Sequence, residues 1–493
     1  MKTNTIVFGL LLALALPSVA AEIPDRPEKL TFPKLTYEPP NGAEYRVPLK
    51  SGPVAFVVPN RELPLVSISI LVRTGKYNEP KGKEGLAAMT GYLLSKGGTQ
   101  NRSAEELEER LAFLAAGLTS SVGDTSGSVG VNLLSKDLDE GLTMLREVLT
   151  APRFQKDRID LYKTQQLQAM KQRNDDSRNI ERRELVRLAY GDHFFRSQVT
   201  TKASIESITE ADLRGFHQAW FHPRNFVVAV SGDFDRETMV AKLEALFAKW
   251  PYRAQAAKPV PTDKQFAKPG VYLVDKEVNQ GRVDIMLPGI LRDNPDYYAV
   301  QVMNDILGGG GFTSRITNRV RSDEGLAYSA YSYFPGGTYF PRTFVAGYQS
   351  KSRTVLYAAQ IVLEEMRKIT QEQVTDKEIE TAKASYIQTF PQAFETKTAV
   401  ASTFASEEFT GRLAKNPAYY KSFRAKIAAV TKDDIQRVAA KYLTPDKVAI
   451  LVVGNKEEIL KGHPDHPVTV KSLTSGGLKE VPLRDPYTLK PLK

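Results

Sequence analysis

The sequence predicts an α+β fold of two homologous domains, each a largely antiparallel sheet with helices over one face. Three observations predict it. First, 493 residues exceed what one ordinary core accommodates, and 42% apolar with 25% charged residues is the make-up of a globular chain that can build two. Second, the chain repeats itself. Ile208-Thr209-Glu210-Ala211-Asp212-Leu213 matches Val430-Thr431-Lys432-Asp433-Asp434-Ile435, and at the same offset of 222 Pro223 meets Pro445 and Gly232 meets Gly454. Third, strand patterns alternate with helix patterns in each half.

Taken in order, residues 1–21 read as a secretory signal peptide. Lys2 precedes the apolar run Ile6 to Leu16, Pro17 breaks it, and Ser18-Val19-Ala20-Ala21 offers cleavage after Ala20 or Ala21. The alternative is an uncleaved anchor, but the run is too short to span a bilayer, and no later segment reads as an integral membrane segment. The Pro-rich residues 22–45 predict an extended arm. A first domain follows over 46–250, with a Ser103–Glu106 capping box, a helical stripe Leu107, Leu111, Leu114 and Ala115, an alternating strand Val129, Val131, Leu133, and a second stripe Leu138, Leu142, Leu145, Leu149. Residues 251–268 have linker composition, and 269–460 form the second domain, with the stripe Ala299, Met303, Ile306, Leu307. Each copy of the repeat reads as a Thr-capped helix, a Pro stop and a buried strand, starting at Phe226 and at Val448. The Pro-rich tail 461–493 is expected to wrap over the surface or lie loose.

Composition narrows the function. The chain has no cysteine, which excludes disulfides, thiol catalysis and cysteine zinc sites. Export without disulfides points to the periplasm. The net charge is +10, but 67 basic and 57 acidic residues are interspersed, so a solvated surface and no nucleic-acid partner are expected. There is no Gly-x-Ser-x-Gly elbow. His217 and His222 are five apart and share no helical face. His463 and His466 fit a loose surface loop.

Two segments carry more. Gly85-Leu86-Ala87-Ala88-Met89-Thr90-Gly91-Tyr92-Leu93-Leu94-Ser95-Lys96-Gly97-Gly98-Thr99 resembles a helix of the insulinase/pitrilysin-like zinc metallopeptidase family, in its mitochondrial-processing-peptidase-like bacterial branch. That helix begins Gly-Leu-Ala and ends near Lys-Gly-Thr. Active members carry His-x-x-Glu-His between those ends, two zinc ligands and a general base. Here the His positions fall on Ala88 and Tyr92, and the Glu position on Gly91. A third ligand, a Glu further downstream, would fall within Lys163-Thr164-Gln165-Gln166-Leu167-Gln168-Ala169-Met170-Lys171, which has no carboxylate. The resemblance therefore implies a non-catalytic member without a metal or other cofactor of its own. Read without it, 85–95 is a core helix with Leu86, Met89 and Leu93 inward. Gly91 inside it costs about 1 kcal/mol relative to Ala, which implies close packing against an element the sequence does not name.

The second segment is Asn304-Asp305-Ile306-Leu307-Gly308-Gly309-Gly310-Gly311-Phe312-Thr313-Ser314-Arg315, followed by Val320-Arg321-Ser322-Asp323-Glu324-Gly325-Leu326-Ala327-Tyr328-Ser329. It is similar to the family's Leu-Gly-Gly-Gly-x-x-Ser-Arg and Arg-x-x-x-Gly-Leu-Ala-Tyr stretches. The resemblance implies that Arg321 and Tyr328 hold a substrate carbonyl and its developing oxyanion at the zinc site of another half or subunit; both side chains are good donors for that. On the residues alone, Arg321 equally fits a surface salt bridge and Tyr328 a place in the core. Gly308, Gly309, Gly310 and Gly311 lack the Lys-Ser/Thr of a phosphate loop and follow no strand, so they read as a flexible turn between helices.

The resemblance spans roughly residues 45 to 455. It implies two domains facing each other as half a clamshell, and a chain that pairs with another to enclose an unfolded peptide. The expected role is a non-catalytic, peptide-binding subunit of a periplasmic zinc peptidase heterodimer. Zinc would sit only in a paralogous partner carrying His-x-x-Glu-His, and the peptide would add as an edge strand. The alternative is a stand-alone homodimer that binds peptides or serves assembly without proteolysis.

Overall fold

The computed structural model describes residues 25–26, 29–31, 36–252 and 255–492. The proposed signal peptide and its cleavage site lie outside the described residues. The chain divides into two units, Met1–Glu38 and Pro39–Lys493. In the first, Lys29 Nζ donates to Asp25 Oδ1 at 2.6 Å. Everything below concerns the second.

Its first half builds one sheet from β1 (Arg46–Pro48), β2 (Val54–Pro59), β3 (Leu65–Val72), β4 (Gly117–Val122), β5 (Gly127–Leu134) and β6 (Phe226–Gly232). Their spatial order is β1-β2-β6-β3-β5-β4. The second half contributes β7 (Gly270–Asp275), β8 (Gln280–Pro288), β9 (Ile290–Leu291), β10 (Ala330–Tyr333), β11 (Gly336–Gly337), β12 (Thr343–Lys351), β13 (Ala449–Gly454) and β14 (Leu478–Glu480). Here the order is β10-β12-β8-β13-β7-β14, with β9 and β11 paired apart. The runs β2-β6-β3-β5-β4 and β7-β13-β8-β12-β10 match strand for strand. The first pair of each is parallel and the other three are antiparallel. The sequence repeat lands on β6 and β13 and on the helices before them, Glu210–Trp220 and Lys432–Tyr442. Both helices open with the expected boxes, Thr209 with Asp212 and Thr431 with Asp434. The second strand starts at Ala449, one residue later than expected.

Each sheet carries its own helices over one face. In the first half Val66, Ile68, Ile70 and Val72 alternate inward and meet Leu86, Met89 and Leu93 and the stripe Leu138, Leu142, Leu145, Leu149, all buried. The opposite face is closed at its centre by a helix from the other half. Helix Lys397–Phe409 lies on β2 and β6, with Phe404 stacked 6.2 Å from Phe56. Reciprocally, helix Ser177–Tyr190 lies on β8 and β13, where Ile180 joins Met286, Leu451 and Val453. Covered on both sides, β6 and β13 are buried along nearly their whole length, so they are continuous apolar runs rather than alternating ones.

One expectation needs correction. The arm 22–45 is not extended to its end, because Gly42–Tyr45 is a helical turn capped by Asn41. Of the two readings of the tail 461–493, the chain follows the first and runs over the surface, with a strand in it. Leu478–Glu480 is β14, paired in parallel with β7. Beyond it the chain reaches the first half, where Arg484 pairs with Glu184 at 3.1 Å and the Tyr487 carbonyl accepts from Lys202 N at 2.9 Å. Among the described residues no helix is long and apolar enough to cross a membrane.

Candidate functional site

The helix Leu86–Lys96 starts at Gly85, whose φ of +106° is left-handed and suits only glycine well. No cap side chain serves its free amides. Glu79 does so from outside, with Oε1 accepting from Gly85 N at 3.1 Å and Ala87 N at 2.8 Å. Burial nevertheless pushes this carboxyl up to about 7, against the opposing pull of those amides and of Lys76. Ala88 and Tyr92, one turn apart, lie on the open side of the helix: Ala88 is exposed and Tyr92 half-buried. The Tyr92 ring sits 4.9 Å from that of Tyr162 on helix Lys156–Lys171. Burial raises the Tyr162 phenol to about 12, with Glu79 and Tyr92 adding to it. The side chain that meets the degenerate helix is thus Tyr162, one residue before the stretch expected to supply a third ligand.

Gly91 points the other way. A Cβ there would lie 2.3 Å from Val122 N and 2.6 Å from Ser121 C, and Ser120 Oγ donates to the Gly91 carbonyl at 2.5 Å. The element that the sequence leaves unnamed is therefore β4. These residues do not fit zinc. Ala88 has no donor atom, Gly91 has no side chain, and Tyr92 packs against a second phenol. Among the described residues no group of three or more His, Asp or Glu side chains is placed to hold a metal ion. His217 is a core residue, its Nε2 3.0 Å from the Leu149 carbonyl, and burial lowers it to about 4. His463 and His466 lie against Tyr357, with His466 stacked at 4.1 Å.

Glu79 gives a pH prediction. A carboxyl raised in the folded state contributes its stabilisation fully below the usual 4.5 and loses it as pH climbs through about 7. Glu79→Gln keeps the acceptor oxygen but cannot ionise. Wild type is expected to lose on the order of 2–3 kcal/mol more than Glu79→Gln between pH 4.5 and 7.5, measured by urea unfolding at both pH values. Parallel curves would refute it.

Arg321 and Tyr328 are brought together in the second half. Arg321 lies on a π-helical turn, Asn318–Asp323, and its guanidinium carbon is 4.6 Å from the Tyr328 ring centre and 4.4 Å from that of Phe312. Tyr328 is 84% exposed and Phe312 66%. Among the described residues the Arg321 guanidinium makes no ion pair and no hydrogen bond, so neither the salt bridge nor the core position left open by the sequence is realised. Phe312 completes an exposed aromatic–guanidinium–aromatic stack, each contact worth about 0.5–1 kcal/mol. Phe312 lies inside the glycine-rich segment, where no pattern in the sequence marks it. No hydrogen bond, ion pair or ring contact joins this stack to Ala88 or Tyr92 within the chain, among the described residues.

The glycine run beside the stack is not a flexible turn, which corrects that expectation. Asp305–Gly309 is a π turn packed on β10, with a Cβ on Gly308 falling 2.4 Å from Ser332 N. A Cβ on Gly309 or Gly310 would crowd Asn304 or Asp305, whereas one on Gly311, at φ +59°, would meet nothing within 4 Å. Gly308 thus does against β10 what Gly91 does against β4.

Comparison with known proteins finds one family along the chain, in two successive matches whose boundary, between residues 201 and 207, lies within the first half. The family "Insulinase (Peptidase family M16)" matches residues 56–201, and "Peptidase M16 inactive domain" matches residues 207–386, together well over half of the chain. An uncharacterized zinc protease of Streptomyces coelicolor is 24% identical over 76% of this chain and 82% of its own. The non-peptidase homolog YmxG of Helicobacter pylori is 26% identical over 68% of this chain and 77% of its own. Among solved structures, a peptidase M16 inactive domain from Pseudomonas fluorescens superposes with a TM-score of 0.73 at 23% identity, covering 83% of this chain and 97% of that one. The periplasmic protease PqqL of Escherichia coli gives 0.71 at 14% identity, covering 83% of this chain and 45% of that one. At these identities the structural likenesses establish the fold.

Proposed function

The chain belongs to the insulinase family of peptidases, family M16, as a member without the family's zinc ligands, and from that premise we propose that it is the non-catalytic subunit of a periplasmic zinc peptidase heterodimer. The observation that carries the reading is the Phe312–Arg321–Tyr328 stack. A half-buried guanidinium held between two exposed rings, with no ion-pair partner among the described residues, keeps its N–H donors free for a group from outside. In this role Arg321 and Tyr328 reach the active site of a paralogous, zinc-bearing partner and hold the substrate carbonyl as charge develops on it. The chain itself supplies donors and a peptide-holding surface, and the partner supplies metal and base.

The test is reconstitution. Purified with the partner that co-elutes from native periplasm, the complex is expected to lose about 100-fold or more in kcat when Arg321→Ala is introduced, with assembly by gel filtration unchanged. Unchanged turnover would sink the donor role. Elution as a homodimer with no zinc-bearing partner would favour a stand-alone peptide-binding module instead.

A further inference from the structure

β10 is the outer strand of the second sheet; among the described residues β12 is its strand partner, and its Ala330 and Ser332 carbonyls accept from Thr317 Oγ1 at 2.7 Å and Asn304 Nδ2 at 3.3 Å. Its alternate residues Tyr331 and Tyr333 are 46% and 54% exposed, and the exposed Phe312 and Tyr328 belong to the segments flanking it. So many large aromatic rings left in water beside an outer strand mark an interaction surface. The corresponding edge of the first sheet, β4, offers Gly117, Thr119 and Ser121 outward, with no aromatic and no charge.

Behind β10 opens a cavity of about 930 Å³. Tyr328, Ser329 and Tyr331 border it on one side, helix Ser177–Tyr190 on another, and β8 and β12 form its floor. Asp284 of β8 lies on that floor. It is 3% exposed, and among the described residues its carboxyl accepts no hydrogen bond and forms no ion pair. The absence of a side chain at Gly347 leaves it room. A Cβ there would fall 2.7 Å from the Tyr331 hydroxyl and 2.9 Å from Asp284 Oδ1. Burial and then the neighbouring Glu181 push Asp284 well above the usual carboxylate range, against an opposing pull from Arg282. The other charges are disposed differently. Arg282 faces Glu181 at 3.5 Å and donates to Ser177 Oγ at 3.1 Å. Arg178, Arg182 and Lys351 are exposed at the mouth, where salt screens them within about 8 Å.

We propose that β10 is the peptide-binding edge of this chain, and that the cavity behind it takes a guanidinium or ammonium side chain of the bound peptide on Asp284. Burial holds the Asp284 carboxyl toward its neutral form, and a cation with N–H donors entering beside it favours the carboxylate, which gains a counter-charge and donors together while its proton passes to solvent. The Tyr331 ring gives that cation an aromatic wall. An extended peptide paired to β10 turns alternate side chains toward the sheet face, which is the direction of the cavity mouth. The inference rests on the peptide-holding part of the reading above and adds a location and a specificity to it.

The experiment uses the chain without a partner and an extended, fluorescently labelled peptide carrying one central arginine, against the same peptide with citrulline. Anisotropy is expected to show the arginine peptide binding about tenfold more tightly or better. Asp284→Asn is expected to erase that preference. Amide exchange is expected to slow over Ala330–Tyr333 on binding. Equal affinity for both peptides, or a preference that survives Asp284→Asn, overturns the Asp284 subsite alone. Slowed exchange over Gly117–Val122 instead overturns the placement on β10. If neither peptide binds, the peptide-holding reading fails and the inference with it. Should Asp284→Asn not fold, the two peptides on wild type, read with amide exchange, decide the matter.

Discussion

Gly91→Glu, the substitution that would return a general base to the degenerate helix, is expected to destabilise the chain by about 3 kcal/mol or more, and to stop it folding if β4 cannot yield. The clash is with backbone. A Cβ at position 91 meets Val122 N at 2.3 Å and Ser121 C at 2.6 Å, and no rotamer change moves either atom. The Ser120 hydroxyl, bonded to the Gly91 carbonyl, ties the strand to that spot. The carboxylate would then be buried without a cation, adding a desolvation cost to the overpacking. Relief from glycine's poor helix propensity returns only about 1 kcal/mol. Gly91→Ala isolates the steric part. In an exposed helix it would stabilise by about that same 1 kcal/mol, whereas here a net loss is expected. Urea unfolding of both variants checks the sign, and a stabilised Gly91→Ala would overturn the argument. The functional consequence is that loss of the zinc site is not three independent neutral changes. Ala88 and Tyr92 lie on the open side of the helix, where side chains can be exchanged, but the helix has settled onto β4 at the very position a base would need.

How much of this was visible in the residues follows from what each feature demands of them. The duplication was visible because capping boxes and a strand buried on both faces restrict residue type at every step, so Thr209–Asp212 and Thr431–Asp434 stay alike across the offset. The degenerate helix was visible through its ends, since Gly85 and the Gly97-Gly98 close are backbone requirements. The exchange of helices between halves was not. Ile180 and Phe404 show only that their helices have apolar faces, and nothing local says which sheet they cover. Gly308 was misread because glycine serves a loose turn and a close approach equally well, and only the position of Ser332 separates them. The Phe312–Arg321–Tyr328 stack leaves no periodicity, because its members are exposed and join two turns. Glu79 and Asp284 look like any surface acid in sequence. Their character comes from what is packed around them.

Ending the chain at Gly477 is expected to cost on the order of 3–5 kcal/mol, more than the loss of a surface tail would. The segment from Leu478 to Glu480 was invisible as a strand, being three residues long with two of them charged. Yet β14 covers the outer edge of β7, and without it that row of backbone groups would be unpaired. Val481 and Leu483 pack on the cluster of Met286, Leu451 and Val453, and Tyr487 packs on the core of the first half; each half-buried apolar side chain contributes about 1 kcal/mol. Arg484 adds to this. It pairs with Glu184, a carboxylate 3% exposed that also holds Arg183 and Arg187, so its removal weakens a buried ion network and is expected to cost about 1–2 kcal/mol. The Arg484 and Pro486 carbonyls also accept from Asn174 and Arg173, so one strand of chain joins the second sheet to a helix pair of the first half. Two measurements separate the contributions. Urea unfolding of the truncated chain gives the total, and Arg484→Met, which keeps packing but removes the charge, gives the share of the ion pair, expected at about 1–2 kcal/mol. If truncation costs less than about 1 kcal/mol, the strap is ornamental and the two halves are held by the exchanged helices alone. If the full loss appears, the strap holds the two halves together along with the exchanged helices.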